Sequence, residues 1–153
     1  MPETTRPELP DLAAAISAAM LSVPVEEQRL ALALYRHLAD GEPVAAAALA
    51  AHLDGDEAEI AATLERWPGV YRSEAGHVVA FGGLAIPEMP HRFRIDGRQL
   101  YTWCAWDALF IPELIGRTAE VESRSPASGE RVSLTVAPER VLAVEPRQAV
   151  VSM

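Results

Sequence analysis

Between residues 25 and 39 apolar side chains return at helical spacing. Leu30, Leu34 and Leu38 form one row, Leu32 and Tyr35 flank it, and Asp40-Gly41 stops it. A first helix is expected over residues 8–21, behind a proline-rich start. Pro43 suits the beginning of a third, running to about Leu53, and Asp54-Gly55 makes a turn. Asp56 can cap a fourth, Glu57 to Arg66, with Ile60, Leu64 and Trp67 on one face before Pro68-Gly69. The period then shortens to two. Val70-Tyr71-Arg72 and His77 to Phe81 flank Ser73-Glu74-Ala75-Gly76, which predicts a β-hairpin. Gly82-Gly83 with Pro87 and Pro90 marks a boundary within residues 82–90.

Beyond the boundary, His91 to Ile95 alternates as a strand and Asp96-Gly97 is a turn. Leu100 to about Ile115 is apolar and predicts a mostly helical segment, with Pro112 placed to kink or break it. Thr118 to Arg124 and Arg131 to Val136 form a second hairpin around Pro126-Ala127-Ser128-Gly129. Val141 to Val144 and Gln148 to Ser152 read as shorter strands. The last reaches Met153 without a polar tail, so an incomplete sheet is expected. The predicted class is α+β. Residues 1–83 form an N-terminal winged-helix-like helical bundle with a hairpin. Residues 84–153 form a small mixed or antiparallel sheet with one helix carrying Cys104.

Composition narrows the function classes. Of 153 residues, 50% are hydrophobic and 23% charged, which suits a soluble globular chain with a real core. No apolar run reaches the length of a membrane span, and the acidic start (Glu3, Glu8, Asp11) does not read as a secretory signal. A cytoplasmic location is expected. Residues 1–90 hold 14 acidic and 5 basic side chains, whereas residues 91–153 hold 8 of each. Three helices followed by a hairpin is the winged-helix order, but the helix that would meet DNA carries Asp56, Glu57, Glu59 and Glu65 against Arg66 alone. Phosphates would repel it, because nucleic-acid binding needs cations that replace condensed counterions. A module that packs on the second half is the simpler reading, and neither nucleic acid nor membrane is an expected partner.

The candidate chemistry lies at Leu100-Tyr-Thr-Trp-Cys-Ala-Trp-Asp-Ala-Leu109, around the only cysteine. If this segment is helical, Cys104 and Asp107 share a face, and Trp103 and Trp106 share the adjacent one. A thiolate is a soft donor suited to soft metals, a carboxyl group in apolar surroundings can hold a proton for delivery, and indoles exclude water. The structural alternative is a helix that buries Cys104 and both indoles and leaves Asp107 in solvent; spacing alone leaves both open. No histidine or lysine adjoins Cys104 to make it an acyl-transfer nucleophile. His37, His52, His77 and His91 have no metal-ligand spacing and read as structural or exposed.

The same segment, with Phe110-Ile-Pro-Glu-Leu-Ile-Gly-Arg-Thr118, Val132-Ser-Leu-Thr-Val136 and Ala143-Val-Glu-Pro146, resembles the alkylmercury (organomercurial) lyases of bacterial mercury resistance. The resemblance is weak from about residue 27 and strong from about residue 92. It implies protonolysis of a carbon–mercury bond to a hydrocarbon and Hg(II), without an organic cofactor. Cys104 matches the family's first catalytic cysteine and Asp107 its catalytic aspartate. Both would hold mercury, as substrate and product, and Trp103 and Trp106 would line the pocket. The family's winged-helix-like N-terminal region is not a DNA reader. The family also uses a second cysteine further downstream than Met153, and Ser125 stands where some members carry a non-catalytic one. With Cys104 alone, release would need an external thiol or a second subunit, so monomer and homodimer both stay open. The implied partners are an organomercurial, cellular thiols and mercuric reductase. A mercury-binding protein without turnover and a thiol-sensing winged-helix regulator are the alternatives.

Overall fold

The computed structural model describes residues 22–151, with Pro10 and Ala14 before them; the helix expected over residues 8–21 otherwise lies outside the described residues. A 3-10 turn, Val25–Glu27, leads into α1, Gln28–Leu38. Its buried row is Leu30, Leu34 and Leu38 with Ala31 and Tyr35, as the spacing predicts. Helix α2, Ala46–Leu53, starts later than Pro43 because Val44 is drawn into a bridge with Val78. Helix α3, Glu57–Arg66, is capped by Asp56, whose Oδ1 accepts from the Glu59 amide at 2.9 Å. Glu57 and Glu59 in its first turn favour its positive end. Their carboxylates stay exposed with that of Glu65, while Arg66 is spent on Glu27 at 3.0 Å.

Eight strands form one sheet: β1 Val70–Arg72, β2 Val78–Phe81, β3 Leu84–Ala85, β4 His91–Ile95, β5 Arg98–Thr102, β6 Ala119–Arg124, β7 Arg131–Ala137 and β8 Arg140–Glu145. Their order is β1-β2-β3-β5-β4-β6-β7-β8, and every neighbouring pair is antiparallel. Gly82-Gly83 closes the β2–β3 hairpin, with Phe81 paired to Leu84. Both glycines have positive φ, +51° and +96°, as a two-residue hairpin turn requires. Strands on both sides of residues 82–90 therefore belong to one sheet. Phe81, Leu84, Phe93, Ile95 and Leu100 project from it into the core formed with α1. There Phe81 stacks on Trp67 and leans against Tyr35.

Two expected elements differ. Leu100 to Thr102 is strand, not helix: Leu100, Tyr101 and Thr102 pair with Phe93, Arg92 and His91 on one side, and Thr102 pairs with Leu84 on the other. Tyr and Thr favour the pleated surface, and Leu100 and Thr102 are both fully buried, a period-two pattern that the continuous apolar run conceals. Helix α4 begins only at Asp107 and ends at Ile115, so Cys104 is not carried by a helix. Pro112 does not break it. The ring removes one intrahelical hydrogen bond, but the row Ala108, Ile111 and Ile115 is buried and Gly116 caps the end with φ +69°. Gln148 to Val151 forms no strand; Pro146 lacks an amide hydrogen and its carbonyl accepts from Ala149 at 3.0 Å in a turn. Ser152 lies outside the described residues.

Arg117, just after α4, clamps the two halves. Its Nη2 donates to Asp40 Oδ1 at 3.1 Å and to the Arg36 carbonyl at 3.3 Å, and its Nη1 donates to Asp96 Oδ2 at 3.2 Å. The end of α1 is thus tied to the β4–β5 turn. Arg117→Ala is expected to lower stability by about 1 kcal/mol, the upper range for half-exposed ion pairs, and urea titration at low and high salt measures both the loss and its screening.

Candidate active site

Strand β5 delivers the site segment. After Thr102 the chain leaves the sheet, turns through residues 103–106, and enters α4 at Asp107. Two hydrogen bonds fix the exit. The Trp103 amide donates to the Gly83 carbonyl at 3.0 Å, and the buried Thr102 hydroxyl donates to the Cys104 carbonyl at 3.0 Å.

The Cys104 amide donates to Asp107 Oδ2 at 2.9 Å. The carboxylate of the first helical residue reaches back three residues to an amide in the turn that precedes the helix. Spacing by three thus does bring Cys104 and Asp107 together, but through a turn and not on a helix face. Burial is also opposite to the structural alternative: Cys104 is exposed and Asp107 is half-buried.

The electrostatics follow from this arrangement. Partial burial pushes the Cys104 thiol above its ordinary value. The Asp107 carboxyl, through a hydrogen bond to the thiol and its charge, pushes the same way, while the backbone amides of Asp107 and Trp106 pull the thiol down. Burial, reinforced by the Asp107 charge, pushes the Tyr35 hydroxyl well above its usual range, so it stays protonated. It donates to the Gly82 carbonyl at 2.7 Å. His91 is lowered mainly by burial, against the opposing Asp107 charge, and its Nδ1 lies 2.5 Å from Ser123 Oγ. Asp107 is therefore the charge that three neighbouring groups feel.

Cys104 and Asp107 open into a cleft of about 1000 Å³. Trp103 and Trp106 both line it, with Phe110 and Leu114 of α4. Trp103 is braced edge-to-face by Tyr71, while the Trp106 Nε1 is buried without a hydrogen-bond partner among the described residues. The opposite wall comes from the N-terminal half: Ala31, Leu32 and Tyr35 of α1, then Phe81, Gly82 and Gly83. None of these was singled out from sequence as a site residue, because their place in the cleft depends on contacts between segments far apart in the chain. Tyr35 in an otherwise aliphatic helical row was the one available signal. A shallower depression of about 370 Å³, between Arg92, Arg131 and Glu122 on the open sheet face, does not include Cys104. No group of three or more potential metal-ligating side chains occurs among the described residues, so the site offers a thiol and a carboxyl group alone.

A thiol beside a carboxyl group in an apolar cleft is chemically suited to soft metals and proton transfer. Comparison with known proteins identifies the class. Residues 84–153 match the family model described as alkylmercury lyase. The chain is 46% identical over 130 residues to an alkylmercury lyase of Pseudomonas putida, covering 85% of this chain and 61% of the relative. It is 45% identical over 120 residues to that of Staphylococcus epidermidis, covering 78% and 55%. The chain is thus similar to alkylmercury lyases over most of its own length, its residues 84–153 match that family's model, and it spans little more than half the length of these relatives. A crystal structure described as the mercury-bound form of MerB2 shares the fold, with a TM-score of 0.62 and 20% identity over 92% of this chain and 68% of that one.

The raised thiol makes a direct prediction. Iodoacetamide reacts with the thiolate, so the rate of Cys104 alkylation should rise with pH through a midpoint above that of a cysteine model peptide. Asp107→Asn removes the charge that pushes the thiol up, and its midpoint should lie lower than that of the unmodified chain. A midpoint that stays put would show that the carboxyl does not act on the thiol.

Proposed function

We propose that this chain cleaves the carbon–mercury bond of organomercurials by protonolysis. The observation that carries the reading is the Cys104–Asp107 pair: the Asp107 carboxylate accepts the Cys104 backbone amide at 2.9 Å, and both residues line an apolar cleft. In the first step the Cys104 thiol gives its proton to the Asp107 carboxylate and the sulfur bonds to mercury, displacing the outgoing thiolate or halide. In the second the proton passes from Asp107 to the carbon as the carbon–mercury bond breaks, because a bare carbanion is a prohibitively poor leaving group. The hydrocarbon departs and Hg(II) remains on Cys104, balanced by the Asp107 carboxylate. The indoles of Trp103 and Trp106, with Phe110 and Leu114, receive the organic group and exclude water.

Turnover then needs thiols from outside the described residues. Cys104 is exposed, so a small cellular thiol can reach the metal, displace the protein sulfur and return a proton to it. A cytoplasmic setting, with mercuric reductase consuming the product, is part of the same proposal. No helix among the described residues is long and apolar enough to cross a membrane. We also infer that residues 1–83 are a winged-helix-like module used as a wall of the cleft. Support comes from the order α1–α2–α3 then the β1–β2 hairpin, the exposed carboxylates of α3, and the α1 side chains lining the site.

Purified protein with phenylmercury and excess thiol is expected to release benzene, measured by headspace gas chromatography. Cys104→Ser should abolish release. Asp107→Asn should cut it about 100-fold to 10,000-fold while Cys104 still captures the organomercurial, as befits loss of the proton carrier. Stoichiometric capture without benzene from the unmodified chain would instead identify a binding protein.

A further inference from the structure

The Asp107 carboxyl is held from two sides, and only one of them is the Cys104 amide. The other is a backbone surface, the Cα of Gly83. A Cβ built there would stand 2.5 Å from Oδ1 and 2.7 Å from Oδ2, and closer still to Cγ. The three carboxyl atoms lie at nearly equal range, so the group rests flat on the glycine. Its conformation, φ +96°, is one that L side chains rarely adopt.

This glycine surface is itself tied down. The Gly83 carbonyl accepts from the Trp103 amide at 3.0 Å, which links it to the segment carrying Cys104. The preceding Gly82 donates from its amide to the Gly69 carbonyl at 3.3 Å and accepts the Tyr35 hydroxyl at 2.7 Å. A Cβ on Gly82 would overlap the Tyr35 hydroxyl oxygen. The two glycines thus leave two adjacent spaces, one filled by a phenol from α1 and the other by the acid from α4. An ordinary hairpin turn needs positive φ but not both of these vacant volumes.

We infer that the Tyr35–Gly82–Gly83 turn is a positioning element that sets the Asp107 carboxyl against the Cys104 thiol. It touches no reacting atom. It acts by blocking one face of the carboxyl, so that the group cannot rotate away from the thiol into the space beside β3. The inference rests on the lyase reading for its kinetic consequence, but the position of the carboxyl can be read without turnover.

The test uses the full chain and two variants. Gly83→Ala pushes the carboxyl off its seat; Tyr35→Phe removes only the hydroxyl that holds the turn and keeps the ring. Each should lower benzene release from phenylmercury, Gly83→Ala by about 100-fold, the scale for ångström-level misplacement of a reacting group. In an Asp107→Asn background Gly83→Ala should cause no further loss, because its whole effect passes through that carboxyl. An additive loss would assign the glycine a merely structural role and overturn the inference. The second readout is the rate of Cys104 alkylation by iodoacetamide at pH 7. It should rise in both variants, in the same direction as in Asp107→Asn. If Gly83→Ala fails to fold, Tyr35→Phe decides both readouts. If the unmodified chain releases no benzene above Cys104→Ser, the lyase reading fails and alkylation alone decides this one: rates equal to the unmodified chain's would overturn it.

Discussion

The hydrogen bond from the Cys104 amide to Asp107 Oδ2 is the constraint around which the C-terminal half is arranged. A bond from an amide to a carboxylate three residues later cannot form along an extended strand; the chain has to turn. The strand before it ends at Thr102, and α4 begins at Asp107. Thr102 enforces the first condition by pairing on both sides and by holding the Cys104 carbonyl with its buried hydroxyl. The buried row Ala108, Ile111 and Ile115 enforces the second. A hydrogen bond to a charged group contributes on the order of 1.5–3 kcal/mol, enough to hold a half-buried carboxylate in one orientation.

The sequence shows most of the scaffold plainly. The rows of α1 and α3, the cap at Asp56, the hairpins at 73–76 and 126–129, and the turn at 96–97 all rest on local periodicity and turn chemistry, which act over a few residues. What it conceals depends on pairing across the sheet. Leu100 to Ile115 is one apolar run, and such a run does not announce where a doubly buried strand gives way to a helix. Gly82-Gly83 reads as punctuation in one dimension. In three it is a tight hairpin whose empty Cβ positions receive Tyr35 and Asp107. Trp103, Cys104, Trp106 and Asp107 were legible as a constellation because they are neighbours in the chain; the wall that faces them was not.

That wall changes how the N-terminal half is understood. Its helix order resembles a DNA-binding module, but α3 presents carboxylates to solvent and its Arg66 is paired with Glu27. The face that matters is α1, where a single helix supplies core leucines, the aliphatic lining of the cleft, and the Tyr35 hydroxyl. Arg117 fastens the end of that helix to the β4–β5 turn. The cleft is consequently an interface between the two halves, a common place for a small-molecule site.

The placement of charge also resolves an apparent conflict in the proposed chemistry. A metal-binding thiol should be ionised, yet burial, helped by the Asp107 carboxyl and opposed by nearby backbone amides, favours the protonated Cys104. For protonolysis this is an advantage. The reaction consumes one proton at carbon for each sulfur–mercury bond formed, and a thiol that reached the substrate already ionised would have surrendered that proton to water. A soft metal competes strongly for sulfur, so its arrival supplies the driving force for deprotonation that the resting cleft withholds. The proton then has an acceptor in the neighbouring Asp107 carboxylate, which borders the apolar space where the organic group would lie. Coupling the release of the proton to the binding of mercury keeps both inside one site. In the proposed chemistry the acid beside the thiol carries that proton first and faces the metal as a carboxylate afterwards.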